Sequence, residues 1–228
     1  MPRAVEALGA VEPRGLVTDA LAGWQPTHAD VLVLAAGKAS RAMAAAAVEA
    51  IDRPVRGGVV TPDGGHVDGL EVLVGTHPIP SEASARAGNR LLELAHTATP
   101  GTSVLVLLSG GASALSRFKA GGLGGALGGA GEVRVLAISD VVGSDPAVIA
   151  SGPTVPRPVE PMHAIEVAEK WGIEVNGHVR KAILAAEIPE RRFYPVEVIA
   201  DGLTLARAAV DAARARGVEA RLGWTVTG

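Results

Sequence analysis

The sequence predicts an α/β protein of the Rossmann-like type, with a mostly parallel sheet and helices on both faces of the sheet. Three observations favour this fold class. Short apolar runs alternate with helical segments along the chain, as in βαβ units. Several of the runs are apolar without interruption, as strands buried on both faces are. The chain also has 228 residues, of which 48% are hydrophobic, and this is enough material for a well-buried core.

Each predicted element in the first half of the chain has its own signal. Residues 31–35 form a continuous apolar run, which is typical of a buried strand, and the Ala-rich stretch 38–51 favours a helix. Residues 56–61 and 70–75 are two further short strands. Ser81 is a suitable cap for a helix that runs to about residue 98.

The alternation continues in the second half. Residues 103–108 and 132–138 are two more apolar strands. The Gly-rich stretch 119–131 lies between them, and we expect it to be a mobile loop. The remaining elements are two polar-faced helices, a strand, a helix and a last strand, at 159–171, 178–186, 195–199, 203–216 and 218–222.

Composition excludes several classes of function. The net charge of −3 offers no basic surface for nucleic acid. The absence of cysteine excludes a thiolate zinc site, a disulfide scaffold and a cysteine nucleophile. The first residues do not resemble a signal peptide and no apolar run reaches about 18 residues, so we expect a cytoplasmic protein without a membrane partner. The Ala-rich helices could pack closely in a homodimer.

The first candidate site is the turn after the first strand. Ligands of parallel sheets gather at the carboxyl ends of the strands, and Gly37 and Lys38 lie at such an end. The glycine permits a tight turn, the helix that begins there presents backbone N–H groups, and the lysine adds a charge suited to phosphate or carboxylate. The turn is neither a Walker A loop nor a GxGxxG fingerprint. The alternative is a solvated lysine at a helix start.

The second candidate site follows the strand at 103–108. Two glycines lie there between two serines, as Ser109, Gly110, Gly111 and Ser113. Such a loop can form a nest of backbone N–H groups with hydroxyl donors around it, which suits phosphate. The alternative is a tight turn that needs glycine for a positive φ.

Two aspartates follow the strand at 132–138, and small residues surround them. Asp140 and Asp145 could hold Mg²⁺ directly or through water. Asp140 could instead orient a substrate hydroxyl or act as a general base, and Asp145, which precedes a proline, could simply cap a helix. His77 lies in a short loop before a proline, where it either bonds a phosphate or fixes the turn. We favour the structural role for His77.

The candidate residues lie in strings that resemble one known family. In chain order, between about residues 30 and 156, the strings are VLVLAAGKASRAM, GGH, THPIPSEAS, LLSGGASAL, SRFKAGGL and AISDVVGSDPAVIASGPTVP. They resemble the MOFRL-type glycerate 2-kinases, which are also labelled hydroxypyruvate reductases of the tartrate-utilisation type. The last string is specific to this pattern, and the chain from residue 196 onward is similar but looser.

The resemblance implies transfer of the γ-phosphate of ATP to the 2-hydroxyl of D-glycerate, which gives 2-phosphoglycerate and uses Mg²⁺. It implies that Lys38 is the family's anion-binding lysine and Asp140 its acidic strand-end residue, and we expect these two to be catalytic. The residues expected to bind substrate or nucleotide are Gly37, His77, Ser109, Gly110, Gly111, Ser113, Ser151, Gly152 and Thr154. Asp145 is expected to bind the metal. Phosphoryl transfer mainly requires positioning and neutralisation of charge, which these groups could supply.

Three departures from the family pattern are visible. An internal helical segment with basic residues is missing between Leu115 and Ser116. The family continues into a second, MOFRL domain, so residues 1–228 correspond to its N-terminal α/β domain and half of an inter-domain site is expected to be absent. Ser144 replaces the first aspartate of the family's Asp-Asp-Pro, and Asp201 replaces the asparagine of its Ser-Asn pair.

Two alternative functions stay open from the sequence. An NAD(P)H-dependent hydroxypyruvate reductase would need a dinucleotide fingerprint, which the turn at Gly37 and Lys38 does not provide. A non-catalytic domain that binds a phosphorylated or carboxylated ligand is favoured by the missing basic segment. Binding without turnover would distinguish this anion-binding domain from a kinase.

Overall fold

The computed structural model describes residues 8–118, 121–155, 161–185 and 193–223. Its strands are β1 (Asp30–Ala36), β2 (Val55–Thr61), β3 (Glu71–Val74), β4 (Thr102–Ser109), β5 (Glu132–Ile138) and β6 (Val196–Ala200). They form one sheet in the order β3-β2-β1-β4-β5-β6, and each neighbouring pair is parallel. The predicted α/β fold class and six of the predicted strands are confirmed.

The helices connect these strands and cover the sheet. They are α1 (Pro13–Leu21), α2 (Ser40–Ala50), α3 (Glu82–His96), α4 (Ala112–Ser116), α5 (Gly122–Ala126), α6 (Pro161–Lys170), α7 (Gly177–Leu184) and α8 (Gly202–Arg214). Short 3-10 helices lie at Leu127–Gly129 and Ile149–Ser151. The predicted cap of α3 is confirmed, because the hydroxyl oxygen of Ser81 accepts a hydrogen bond from the N–H group of Ala83 at 3.2 Å.

The central strands are apolar without interruption because helices cover both faces of the sheet. Successive side chains of a strand point to opposite faces. Leu34 of β1 accordingly lies in one core with Leu91 of α3, whereas Val33 lies in the other core with Met43 of α2. Both faces therefore need apolar side chains, and this explains the continuous run predicted at 31–35.

The strand order reverses between β1 and β4. The chain leaves β1 through α2 to reach β2 on one side, and it returns from β3 through α3 to β4 on the other side. Helices α2 and α3 lie on opposite faces, since they pack into different cores. The carboxyl ends of β1 and β4 are therefore the switch point of the sheet, and ligands of such sheets bind outside this edge.

The strand predicted at 218–222 is wrong. Among the described residues the sheet ends at β6, and the segment after α8 turns back onto that helix. The N–H group of Val218 donates to the carbonyl oxygen of Ala213 at 3.1 Å, and Nε of Arg214 donates to the carbonyl oxygen of Ala220 at 3.1 Å. These bonds to the end of α8 replace the ladder that a further strand would need.

The mobile loop predicted at 119–131 is also wrong for the part that the structure describes. Lys119 and Ala120 lie outside the described residues, and the chain from residue 122 to residue 129 forms α5 and a 3-10 helix. Leu123 and Leu127 are fully buried in the core that includes α3. Their spacing of four residues places both on one side of a helical turn, and burial of two leucines outweighs the flexibility of the glycines around them.

The helices predicted at 159–171 and 178–186 are found as α6 and α7. Residues 159–160 and 186 lie outside the described residues. In the described part of the chain, no helix combines the length and the apolar character needed to cross a bilayer.

Candidate active site

The turn after β1 is tied to the turn after β4. The N–H group of Lys38 donates to the carbonyl oxygen of Gly110 at 2.9 Å, and the N–H group of Ala39 donates to Oγ of Ser109 at 3.0 Å. Gly37 has a φ of 132°, and a Cβ atom there would lie 2.1 Å from Oγ of Ser109, so only glycine fits. Both backbone N–H groups are therefore already hydrogen-bonded within the protein. The group of this turn that can attract an anion is the side chain of Lys38.

Two glycines let three polar side chains approach the loop between β4 and α4. A Cβ atom on Gly110 would lie 2.2 Å from Oδ2 of Asp140. A Cβ atom on Gly111, whose φ is 84°, would lie 2.9 Å from Cδ2 of His77 and 3.4 Å from Cε of Lys38. The loop therefore forms the tight, glycine-dependent turn that is one of the two alternatives predicted from the sequence. Its backbone, which has no side chain at Gly110 or Gly111, also faces Lys38, His77 and Asp140.

Lys38 and Asp140 form an open pair above this loop. The ammonium nitrogen of Lys38 lies 4.0 Å from Oδ2 of Asp140, and the two side chains are 52% and 62% exposed. Such an exposed pair contributes little to stability. The distance is longer than a hydrogen bond, so each charge can turn to a ligand. The structure thus brings together the two residues that the sequence assigns to catalysis.

A second loop of small residues joins the first through two hydroxyl groups. Oγ of Ser113 and Oγ of Ser151 lie 2.8 Å apart at the surface. Ala150, Ser151 and Gly152 have φ values of 53°, 66° and 60°. Left-handed backbone costs roughly 1 kcal/mol for each residue other than glycine, so the surrounding structure must hold this loop in place. The two serines form an exposed polar rim beside the β4–α4 loop.

Gly152 and Thr154 make their contacts inside the protein and not at its surface. The carbonyl oxygen of Gly152 accepts a hydrogen bond from the N–H group of Gly121 at 2.7 Å, and a Cβ atom on Gly152 would lie 2.8 Å from the carbonyl oxygen of Ala147. Thr154 is fully buried, and its Oγ1 has no hydrogen-bond partner among the described residues. The structure therefore does not bring Thr154 to the exposed rim of the two serines.

Asp145 caps the turn that leads into the 3-10 helix at Ile149–Ser151. Its Oδ1 accepts a hydrogen bond from the N–H group of Ala147 at 2.8 Å, which agrees with the capping alternative. Within the described ranges, no three His, Asp or Glu side chains gather as a ligand set for a metal ion. Mg²⁺ in sites that act on phosphates commonly takes one or two carboxylates and the substrate itself, and the Asp145 carboxylate is a group of this kind.

The link between Ser144 and Asp201 is a feature that the sequence interpretation missed. Asp201 follows β6 and caps α8, since its Oδ1 accepts from the N–H group of Thr204 at 2.9 Å. Oγ of Ser144 donates to Oδ2 of Asp201 at 3.2 Å. These hydrogen bonds, led by the one from the backbone of Thr204, hold the pKa of the Asp201 carboxyl below its ordinary value. The signal in the sequence is an aspartate between a strand and a helix, the usual place of an N-cap.

A cavity of about 790 Å³ opens beside Asp140 at the carboxyl ends of β5 and β6, and we call it the β5–β6 cavity. Most of its wall is aliphatic, and polar side chains are contributed by Ser139, Asp140 and Asp201. The lining consists of residues 11, 138–143, 200–203, 205, 206, 222 and 223. The volume lies in the usual range for cavities that bind small molecules.

The sequence is similar to one described protein family and to several named proteins. It matches a family described as a domain of unknown function, DUF4147, over residues 3–117 and 114–184. The two stretches meet at 114–117, where the resemblance predicts a missing internal segment. D-glycerate 2-kinase of Thermotoga maritima is 34% identical over an alignment of 194 residues, which covers 68% of this chain and 46% of that protein. A relative from Agrobacterium vitis that carries the name putative hydroxypyruvate reductase is 30% identical over an alignment of 193 residues, which covers 67% of this chain and 44% of that protein.

A solved structure has the same fold. The crystal structure of glycerate kinase from Thermotoga maritima superposes with a TM-score of 0.80 and 28% sequence identity, and the match covers 95% of this chain and 61% of that chain. The chain thus spans less than half of the length of the two named relatives and less than two thirds of the solved chain.

Proposed function

The chain belongs to the DUF4147 family, the N-terminal domain of the MOFRL-type glycerate 2-kinases, and we propose that it serves phosphoryl transfer from ATP to the 2-hydroxyl of D-glycerate. The observation that carries this proposal is the meeting of Lys38 and Asp140 above the bare backbone of Gly110 and Gly111. The proposed activity is that of a whole enzyme in which residues 1–228 form the N-terminal α/β domain.

Lys38 is proposed to neutralise charge on the phosphoryl group during its transfer. The transferred group spreads negative charge over its oxygens, and a fixed cation beside them stabilises the transition state. The side chain of Lys38 is half exposed and follows the carboxyl end of β1, at the switch point between β1 and β4. Its own backbone N–H group holds the β4–α4 loop, so the turn that carries the charge is fixed in position.

Asp140 is proposed to accept the proton of the 2-hydroxyl group. The hydroxyl oxygen then forms a bond to the γ-phosphorus as the bond from that phosphorus to the bridging oxygen breaks, and ADP leaves with the electron pair of the broken bond. Oδ2 of this carboxylate lies 4.0 Å from the ammonium of Lys38, so the proposed base lies beside the proposed cation. The products of the step are 2-phosphoglycerate and ADP.

The two small-residue loops are proposed to hold the anionic groups of the substrates. The hydroxyl groups of Ser113 and Ser151 are exposed and 2.8 Å apart, so both can turn to a phosphate or carboxylate oxygen. Gly111 offers backbone without a side chain beside the imidazole of His77. Ser109 acts differently, since it is buried and its hydroxyl oxygen holds the start of α2 in place.

Mg²⁺ is proposed to be held by Asp145 together with the nucleotide. When bound, the ion supplies positive charge to the oxygens of the β- and γ-phosphates. Asp145 already accepts a hydrogen bond through Oδ1, which fixes the orientation of its carboxylate for this purpose.

Hydroxypyruvate reduction is the second candidate, because a relative carries that name. The structure offers it less support. A dinucleotide-binding turn leaves its backbone N–H groups for the pyrophosphate, whereas the N–H groups of Lys38 and Ala39 are bonded to Gly110 and Ser109.

The two candidates are separated by measuring both reactions on one sample. We expect release of ADP from Mg·ATP that depends on D-glycerate, and no oxidation of NADH or NADPH with hydroxypyruvate. Oxidation of the nicotinamide without release of ADP would contradict the kinase proposal. Ligand binding without either reaction would favour a non-catalytic anion-binding domain.

A further inference from the structure

The β5–β6 cavity is larger and more apolar than D-glycerate requires. A three-carbon hydroxy acid is small and anionic, whereas the cavity holds about 790 Å³ and two of its polar residues, Asp140 and Asp201, are acidic. The Asp201 carboxylate would repel an anion that lay inside the cavity. The aliphatic wall instead suits an uncharged ring with polar atoms at its edge.

Asp140 lines the cavity and also belongs to the proposed catalytic pair. Asp140 is among the residues that line the cavity, and its Oδ2 lies 4.0 Å from the ammonium of Lys38. A Cβ atom on Gly110 would lie 2.2 Å from the same oxygen, so the carboxylate of Asp140 also lies against the β4–α4 loop. A ligand that fills the cavity and extends past Asp140 therefore reaches the cation and the bare loop backbone.

Asp201 supplies an acceptor inside the cavity. Its oxygens accept hydrogen bonds from the backbone of Thr204 and from Oγ of Ser144, which fixes the orientation of the carboxylate. Each carboxylate oxygen can accept more than one hydrogen bond, so Asp201 can still accept from a sugar hydroxyl or an amino group. Leu203 and Leu205 flank it as apolar wall.

We propose that the β5–β6 cavity binds the nucleoside of the phosphoryl donor, and that the phosphates run past Asp140 toward Lys38, Gly110 and Gly111. This inference rests on the proposed kinase function and adds to it the place of the base and sugar. The ring packs between the segment after β5 and the start of α8, and Asp201 accepts hydrogen bonds from its polar edge.

The test measures binding by calorimetry with three probes: adenosine, Mg·ADP and inorganic tripolyphosphate. Ala206→Phe narrows the cavity from α8, because Ala206 lies in its wall. Ala209→Phe is the matched control, since Ala209 lies on the same helix, is exposed and is not part of the lining. Unfolding curves of both variants confirm that each is folded before binding is compared.

We expect adenosine and Mg·ADP to bind the unchanged protein, Ala206→Phe to weaken both by at least about tenfold, and Ala209→Phe to leave both unchanged. Tripolyphosphate should be insensitive to Ala206→Phe and should be weakened by Lys38→Ala. Two results would overturn the inference: no binding of adenosine to the unchanged protein, or equal binding of Mg·ADP by Ala206→Phe and the unchanged protein. Adenosine binding needs no turnover, so these results are separate from failure of the kinase assay.

Discussion

The ammonium of Lys38 lies 4.0 Å from the carboxylate of Asp140, although the strands that carry them, β1 and β5, are separated by β4. The approach is possible because the loop after β4 has two glycines at the crossing point. A side chain on Gly110 would collide with Asp140, and one on Gly111 would approach Lys38. The two glycines after β4 thus allow Lys38, which follows β1, and Asp140, which follows β5, to come close to each other.

Removal of the Lys38 charge is expected to reduce turnover with little effect on folding. Lys38→Met should lower kcat by about 10²–10³-fold, because a preorganised cation contributes that much to a charged transition state. Stability in urea should hardly change, since the pair is exposed. Arg41→Met removes a partly exposed cation from the first turn of α2, three residues after Lys38, and is the matched control. Equal losses of kcat in both variants would contradict a specific role for Lys38.

Neutralisation of Asp140 is expected to slow the chemical step. Asp140→Asn keeps the shape of the side chain but cannot accept the proton of the hydroxyl group, so kcat should fall by about 10²–10⁴-fold. The measurement is kcat with saturating D-glycerate and Mg·ATP. A variant that keeps the kcat of the unchanged protein would show that another group accepts the proton.

A methyl group at Gly37 is expected to separate the two turns of the site. Gly37→Ala places a Cβ atom 2.1 Å from Oγ of Ser109, at a φ of 132°. We expect a loss of roughly 2–4 kcal/mol in the free energy of unfolding, measured in urea. Gly177→Ala is the control, because a Cβ atom there meets nothing within 4 Å. Similar unfolding midpoints for the two variants would contradict the close approach at Gly37.

Acid is expected to weaken the fold through Asp30, at the opposite end of β1 from the site. Hydrogen bonds from Arg56, with Nε and Nη2 each 2.8 Å from a carboxylate oxygen, hold the pKa of Asp30 below its ordinary value of 3.8. The stabilisation is therefore complete above the pKa of the unfolded chain and is lost as the pH falls through the lower pKa of the folded state.

The variant Asp30→Asn tests this linkage. It should be less stable than the unchanged protein near neutral pH, and the difference should shrink at acidic pH, in urea unfolding measured between about pH 6 and about pH 2. Arg56→Gln removes the hydrogen-bond partner of Asp30. It should likewise make the free energy of unfolding less dependent on pH. A constant difference between Asp30→Asn and the unchanged protein at every pH would contradict the linkage.

The sequence predicts the parts of this fold that depend on a local pattern. Uninterrupted apolar runs mark β1 and β4 because both faces of each strand are covered, and parallel strands bring Lys38, Gly110 and Asp140 to one edge of the sheet. Burial of Thr154 could not be predicted, because it depends on packing between distant segments.

Two predictions, the mobile loop at 119–131 and the strand at 218–222, are wrong for the same physical reason. The Gly-rich stretch becomes helical because Leu123 and Leu127 find a core under α3, and the strand predicted at 218–222 turns onto α8 instead. In each case contacts made elsewhere in the fold outweigh the local preference of the sequence. The bond between Ser144 and Asp201 likewise joins loops that the sequence does not place together.

The most direct test of the proposed activity is phosphorus NMR of the product formed from D-glycerate and Mg·ATP. We predict that 2-phosphoglycerate and ADP accumulate in equal amounts with the unchanged protein, and that neither accumulates with Lys38→Met over the same time. Phosphate found on the 3-hydroxyl, or no phosphorylated glycerate at all, would contradict the central claim that this site serves transfer to the 2-hydroxyl group.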